Sequence, residues 1–468
     1  MLSWVVEYPV STVLFLVVLF CLFQSWWLKK DFFSPATVYC FSQCITLGIA
    51  YFQINRAMTD FKPLTWMIWI GALVAFCGGS LLAHLATRQK GLSVQQGNVA
   101  ISCRYNWTLH VALSFIPFLL FIVGIYGIIQ VAGNLLLLTG NPAKYMTKDT
   151  DYGYYAVLFG GAPLCVLLFG VAAFKKFNPV KRLRVISRVM IVLSIVINLL
   201  AYPNRGTLFF SLGFIVILYN YLHKRISSLW VVICIALAAG AFVGISSLRD
   251  QYGGNAVEKM AAKAVVELPY MYVANNYWNF DYAVNPPSDR EYHPHTYGID
   301  FFHGMFEYLR VSESFRHSFR WDGLFNERIE KIHGFNTASY LWEVYKDLYY
   351  PGVIIFPFMC GLLLSLLHLR LCRPFTPRQI LFYTFFIYFI GWWFFTPGYK
   401  QGIYWVWSLV IFTISTVCMW PKMLPADAPV VDKVNGELQG EQNVSGEGEH
   451  RDGTGIENKP ATDAGCNV

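Results

Sequence analysis

Residues 351–370 read PGVIIFPFMCGLLLSLLHLR, and this apolar run decides the fold class. The run contains no acidic residue, and its only strongly basic residue, Arg370, stands at its end. Because a membrane-spanning helix needs about 20 predominantly apolar residues, the stretch predicts a transmembrane helix. The run is continuous rather than alternating, so it does not fit a strand of a transmembrane β-barrel.

The rest of the chain has the same character. Of its 468 residues, 56% are hydrophobic and 14% are charged, whereas an ordinary soluble domain carries about 25% charged residues. This composition excludes a soluble, disordered or fibrous protein. We predict an all-α polytopic integral membrane protein with eleven transmembrane helices. They cover residues 9–28, 33–54, 64–87, 107–131, 153–174, 186–203, 207–222, 229–247, 351–370, 379–396 and 403–420.

Lys and Arg are distributed unequally between the two sets of connecting loops. One set carries sixteen of them, and the opposite set carries seven outside the long segment 250–350. Since positively charged loops stay in the cytoplasm, the bias predicts an outer N-terminus and an inner C-terminus. The net charge of +8 is therefore a topology signal rather than a sign of nucleic-acid binding.

The predicted spans divide the chain into four parts. Residues 1–249 hold transmembrane helices 1–8, and residues 351–420 hold helices 9–11. Between them, residues 250–350 form a large outward-facing loop, rich in aromatic residues, which we expect to fold as short helices resting on the bundle. Residues 421–468 are acidic and nearly free of aromatic residues, which predicts a disordered cytoplasmic tail.

Two Arg residues lie at the outer ends of predicted spans. Arg205 follows the sixth span and Arg249 ends the eighth, and no acidic residue occurs between Asp151 and Asp250. An Arg at membrane depth is costly and is by default a functional hypothesis. Its guanidinium fork suits bidentate binding of phosphate oxygens. The alternative is an Arg that extends to the membrane interface.

Other polar residues of the outer face have two readings each. Arg316 and Arg320 would share a helix face, although Glu313 is close enough to neutralise either. Lys400, in the last outer loop, could face a phosphate or anchor the helix at the interface. His303 is a candidate general base because His titrates near neutral pH, and the alternative is a structural His.

The sequence lacks the motifs that indicate metal or nucleotide chemistry. His293 and His295 have no third ligand at a metal-site spacing, so no metal is predicted. The chain has no phosphate-binding P-loop and no dinucleotide-binding glycine motif, so no nucleotide cofactor is expected. Any chemistry must use substrates delivered by the membrane or by the outer face.

The chain resembles a known family in its architecture over residues 1–420 and in two local motifs. The motifs are Arg205-Gly206 after a span, and Asn336-Thr337 followed by Tyr345, Asp347, Gly352 and Gly361. In these respects the chain is similar to the Wzy-type oligosaccharide repeat-unit polymerases of bacterial O-antigen and capsule synthesis. The resemblance implies a multi-pass protein of the bacterial inner membrane, with residues 250–350 in the periplasm.

The implied activity is glycosyl transfer between undecaprenyl-diphosphate-linked oligosaccharides, without a cofactor. A chain-length regulator protein is an implied partner beside the lipid bilayer. The leaving diphosphate needs cationic stabilisation, and the acceptor hydroxyl needs a base. The residues expected to serve are Arg205, Arg249, Arg316, Arg320 and Lys400 for the diphosphate, Asp347 and His303 as the base, and Asn336, Tyr345 and Tyr399 for the glycan.

Two other functions remain open from the sequence. An O-antigen ligase would share the outer Arg and His residues but would use a lipid A core as acceptor. A flippase or other transporter of lipid-linked oligosaccharides would need charged residues along its interior spans and little outer domain. The predicted spans are nearly free of acidic residues and the outer segment is large, which favours the polymerase.

Overall fold

The computed structural model describes most of the chain up to Met419. The described residues are 8–26, 31–52, 60–88, 105–139, 142–145, 155, 158, 160–234, 237, 240, 257–285, 297–298, 300–308, 339–371, 375–395, 398 and 401–419. Within them the structure is helical and contains no β-strand. Residues 1–420 form one compact unit.

The long helices are labelled in chain order. They are α1 (Pro9–Trp26), α2 (Pro35–Ala50), α3 (Pro63–Arg88), α4 (Trp107–Ala132), α5 (Ala162–Ala172), α6 (Lys181–Ala201), α7 (Arg205–Leu222), α8 (Val257–Val284), α9 (Tyr340–Leu371), α10 (Pro377–Gly391) and α11 (Gly402–Met419). Shorter helical segments are Leu136–Leu138, Pro142–Tyr145, Asp300–Phe302 and His303–Tyr308, and residues 228–234 are also helical.

Local signals fix where several helices begin. The side chain of Asn106 accepts the N–H of Leu109 at 3.0 Å and caps α4. Thr376 and Gln379 form a reciprocal capping box at the start of α10, with a 2.8 Å bond from the Thr376 N–H to the Gln379 side chain. Such caps satisfy backbone donors that have no partner inside the helix.

The helices have the dimensions and the surface of a membrane-embedded protein. Five stretches are long and apolar enough to cross a membrane, namely Pro63–Thr87, Trp107–Leu138, Lys181–Ala201, Tyr340–Leu371 and Gly402–Met419. Large apolar side chains such as Met67, Leu119, Val192 and Leu409 point outward and are exposed. Exposed apolar surface of this extent is unfavourable in water and is typical of a lipid-facing bundle.

The predicted all-helical architecture is confirmed, and each predicted span overlaps described helical residues. The count of eleven spans and their orientation stay predictions. The long segment 250–350 differs from the expectation of short helices, because it contributes α8, a helix of 28 residues. Tyr277 and Phe280 of α8 are fully buried in the bundle. The tail 421–468 lies outside the described residues.

The closest helix crossing joins α3 to α9 through glycines. A Cβ atom on Gly361 would lie 3.0 Å from the carbonyl carbon of Phe76 and closer still to its oxygen, and one on Gly79 would lie 3.0 Å from the carbonyl carbon of Phe358. The Ser365 hydroxyl donates to the Ser80 hydroxyl at 2.7 Å beside the crossing. Small residues let two helix backbones approach in a membrane, where lipid supplies no hydrophobic force between helices.

The first prediction tests this crossing with two adjacent glycines of α3. Gly79→Ala should destabilise the protein by about 1–3 kcal/mol, because the new methyl group meets the backbone of α9. Gly78→Ala is the matched control, since a Cβ there has no neighbour within 4 Å. The measurement is the thermal unfolding midpoint of each variant in the same detergent. Equal midpoints for the two variants would contradict the crossing.

Candidate functional site

The candidate site is built on a chain reversal inside α9. Tyr349 has φ 59° and ψ −151°, which is not helical and is rare for a residue with a side chain. The rings of Tyr340 and Phe356 lie 6.4 Å apart, whereas sixteen residues of straight helix would separate them by about 24 Å. The first limb of α9 (340–348) therefore folds back along the second limb (350–371).

Gly352 makes this reversal possible. A Cβ atom there would lie 3.0 Å from the carbonyl oxygen of Val344 and would collide with the side chain of Leu348. The neighbouring Pro351 has no N–H group, so the helical turn that follows the reversal loses no hydrogen bond at that position. Pro351 and Gly352 thus lie just after Tyr349, the residue at which the two limbs are joined.

The start of the first limb is anchored inside the bundle. The Tyr340 hydroxyl forms a 2.5 Å hydrogen bond with the hydroxyl of Tyr39, and the Tyr340 N–H donates to the carbonyl of Trp393 at 3.0 Å. Ser339 donates its N–H to the carbonyl of Asn276 in α8 at 3.4 Å. Non-helical backbone at membrane depth is tolerated only when protein surrounds it, and these bonds meet that requirement.

Asp347 lies at the other end of the first limb and holds a second strained turn. Its Oδ1 accepts the N–H of Gly298 at 2.8 Å, and its Oδ2 accepts the N–H of Phe301 at 3.1 Å. Tyr297 and Gly298 have positive φ angles of 50° and 91°. Asp347 is 4% exposed. Two strained backbone segments thus meet at one buried carboxylate, an arrangement that clusters at functional sites.

This carboxylate fixes the approach to the helix that begins at His303. Phe301 packs against Phe356 of α9 and Trp405 of α11, with ring centroids 5.9 Å apart in each pair. The segment 300–308 is therefore bound to α9 and α11 at the end of the bundle predicted to be periplasmic. Asp347 and the backbone of His303 thus belong to one local unit, while the His303 side chain is outside the described part.

Three Tyr rings form a cluster next to Asp347. The ring centroids of Tyr345 and Tyr349 are 5.2 Å apart, and those of Tyr349 and Tyr350 are 4.2 Å apart. Tyr345 is buried, whereas Tyr349 is 37% and Tyr350 is 39% exposed. The expected glycan residue Tyr345 therefore supports two neighbouring exposed rings, and each Tyr combines an apolar face with a hydroxyl group, as is common at binding surfaces.

Arg205 is the first residue of α7. The Asn204 side chain accepts the N–H of Gly206 at 2.8 Å and caps the helix. Phe210, one turn later, packs 5.6 Å from Tyr404, the neighbour of Trp405. Arg205 thus starts a helix whose positive dipole end lies at the same end of the bundle as Asp347. The Arg205 side chain is outside the described part. Arg249, Arg316, Arg320, Asn336, Tyr399 and Lys400 lie outside the described residues altogether.

Sequence reasoning missed a set of buried amides between α2 and α8. The Tyr277 hydroxyl lies 2.7 Å from the Thr46 hydroxyl and donates to the Gln43 side chain at 3.3 Å. The Gln43 Nε2, the Asn275 Nδ2 and the Asn276 Oδ1 are buried without a hydrogen-bond partner among the described residues. Unpaired buried amides are costly. The adjacent Asn275-Asn276 pair within an aromatic run was the available signal.

A second missed group is Asp281, near the C-terminal end of α8. Its carboxylate accepts the hydroxyl of Thr65 at 2.5 Å and the N–H of Lys62 at 3.1 Å. These bonds tie α8 to the start of α3, so the structural role is sufficient to explain the residue. Within the described residues no group of three His, Cys, Asp or Glu side chains is placed to hold a metal ion.

Comparison of the chain with known proteins identifies no relative. The chain matches no protein-family model, no curated protein and no solved structure.

The second prediction concerns the turn that Asp347 holds. Asp347→Ala should expose the amides of Gly298 and Phe301 to rapid hydrogen exchange, because both lose their acceptor. Asp347→Asn keeps one acceptor oxygen and should give an intermediate rate. Exchange of the peptide covering 297–308 is measured by mass spectrometry. Glu343→Gln, one turn earlier on the same limb, is the control and should leave this peptide unchanged. Wild-type exchange in Asp347→Ala would contradict the two bonds.

Proposed function

We propose that this protein is an inner-membrane glycosyltransferase that polymerises undecaprenyl-diphosphate-linked oligosaccharide repeat units at the periplasmic face. The observation that carries the proposal is the buried Asp347 carboxylate, held by the N–H groups of Gly298 and Phe301 beside half-exposed Tyr rings. The site lies at an end of a membrane-embedded bundle, where a lipid-linked substrate can present its sugar while its chain stays in the bilayer.

The reaction replaces one bond to the anomeric carbon by another and transfers one proton. The acceptor hydroxyl of the new repeat unit loses its proton to Asp347 or His303, and its oxygen forms a bond to the anomeric carbon of the growing glycan. The bond between that carbon and the diphosphate oxygen breaks, and the diphosphate leaves with the electron pair on its lipid. No oxidant, reductant or nucleotide is required, because the lipid diphosphate is already an activated leaving group.

Each element of the site has a place in this reaction. The two backbone bonds hold the Asp347 carboxylate in one orientation, which meets the geometric demand on a general base or on a group that positions the hydroxyl. The rings of Tyr349 and Tyr350 would cover the apolar face of a sugar. Arg205 at the start of α7 would face the developing charge of the diphosphate, aided by the helix dipole.

The deciding experiment is deletion and restoration of the gene in its source organism, followed by gel analysis of surface glycans. The expected result is loss of long-chain polymer with retention of a single capped repeat unit. Polymer that accumulates on the lipid carrier would instead identify a ligase. A single repeat unit that never reaches the outer face would identify an export function and overturn the assignment of Asp347.

The third prediction is that Arg205→Ala abolishes polymerisation although the protein still inserts. Removal of one group that stabilises developing charge typically lowers turnover about 10²–10³-fold, which would leave only single repeat units on the gel. Arg182→Ala is the matched control, because Arg182 is an exposed cation at the opposite end of α6. Normal polymer from a well-expressed Arg205→Ala variant would show that Arg205 is not part of the site.

The fourth prediction separates the chemistry of Asp347 from its structural role. Asp347→Asn should lose polymer while keeping a folded, membrane-inserted protein, because the amide can still accept one backbone bond but cannot accept a proton. Glu343→Gln should keep full polymer length. The glycan gel and the amount of protein in the membrane are measured together, and long polymer from Asp347→Asn would exclude the carboxylate as the base.

A further inference from the structure

The two helices α6 and α7 form a wedge that is closed at one end and open at the other. They meet near Arg205, where Asn198 donates to the hydroxyl of Thr207 at 2.8 Å. Both helices pack against α5, whose residues are all buried. At the far end a cavity of 630 Å³ opens between them. It is lined by Phe174, Lys175, Lys176, Arg188, Tyr219, Leu222 and His223.

This cavity is strongly cationic. Three of its lining residues, Lys175, Lys176 and Arg188, carry a positive charge. Among the described residues, no carboxylate lies within 4.0 Å of Lys175, Lys176 or Arg188. The positive charges are therefore not used in ion pairs with the described part of the protein.

Two of the cations are held in place by backbone carbonyls. Lys176 donates to the carbonyl of Tyr221 at 3.2 Å and lies 5.4 Å above the ring of Phe375. Arg188 donates to the carbonyl of Ala173 at 3.3 Å. Partial burial lowers the pKa of Lys176, and the positive charge of Arg225 lowers it further. A bound anion would reverse both effects, because it would stabilise the protonated amine.

An apolar stripe leads from this cavity along α6. Val185, Val189, Val192 and Val196 are exposed and follow the three- and four-residue spacing of one helix face. Arg188 lies at the edge of that face. The opposite face of α6 carries the buried residues Ser187, Ser194 and Asn198, and Asn198 contacts α7. A ligand that satisfies both features has an anionic head and a long apolar chain.

We propose that the cavity at the open end of α6 and α7 binds an anionic phospholipid, with its phosphate among the cations and an acyl chain passing Arg188 onto the exposed apolar face of α6. Basic pockets between membrane helices on the cytoplasmic side are suited to such headgroups. The cavity lies at the end opposite Asp347, so the site is separate from the proposed glycan chemistry and does not rest on it. A free phosphate would use the cations but not the exposed apolar face beside Arg188, so the two ligands differ in whether an acyl chain adds affinity.

The test is native mass spectrometry of delipidated protein titrated with phosphatidylglycerol or phosphatidylcholine. Wild-type protein should bind phosphatidylglycerol at least about 10-fold more tightly than phosphatidylcholine. The double variant K176Q/R188Q should lose about 30-fold in phosphatidylglycerol affinity, on the basis of roughly 1 kcal/mol per basic residue. The control K181Q/R182Q removes two exposed cations from the same helix end but not from the cavity, and should lose less than about 3-fold.

Two further arms keep the test decisive. The swap K176R/R188K keeps the charges and should keep phosphatidylglycerol binding, which separates lost charge from lost folding. Glycerol phosphate, the soluble headgroup, should bind at least about 100-fold more weakly than the lipid, because it lacks the apolar chain. Equal affinity for the two lipids, equal losses in K176Q/R188Q and K181Q/R182Q, loss of binding in K176R/R188K, or full competition by glycerol phosphate would each overturn the lipid site.

Discussion

The close backbone contact of α3 with α9 is the constraint on which the candidate site depends. Gly79 and Gly361 let the two helices approach until carbonyl groups lie where side chains would normally be. This contact fixes the second limb of α9 within the bundle. The first limb can then fold back against a fixed surface, and its start is bonded to Tyr39 and Trp393. A looser crossing would allow the hairpin, and Asp347 with it, to shift.

The reversal at Tyr349 shows how strain is used in this protein. Residues held at positive φ cost of order 1–3 kcal/mol each, and Tyr297 and Tyr349 both adopt such angles. The two turns depend on each other. Asp347 accepts hydrogen bonds from the turn at Tyr297 and Gly298, and it lies two residues before the turn at Tyr349. Buried hydrogen bonds that backbone N–H groups donate to a carboxylate are among the stronger kind. The carboxylate therefore offsets the strain and is oriented by it at the same time.

The general fold was predictable because a bilayer imposes a length and a composition on each helix, and runs such as 351–370 meet both. Asp347 and Tyr345 could also be singled out from the sequence, since polar groups at the end of an apolar run need an explanation, and their role stays a prediction. The hairpin was not predictable. Tyr is an unusual residue at positive φ, and the partner that holds Asp347, Gly298, lies 49 residues away. Asn276 was missed because the segment around it reads as hydrophilic, whereas α8 buries it.

The two ends of the α6–α7 pair differ in the charged groups that lie near them. The cavity end gathers several cations at an open surface, where a bilayer lipid can neutralise them without ordering much of the protein. At the other end, the described residues include the buried Asp347 carboxylate and the ion pair of Glu343 with Lys346 at 3.7 Å. A buried carboxylate held by backbone N–H groups suits the proposed proton transfer, whereas exposed cations at the cavity end suit binding without reaction.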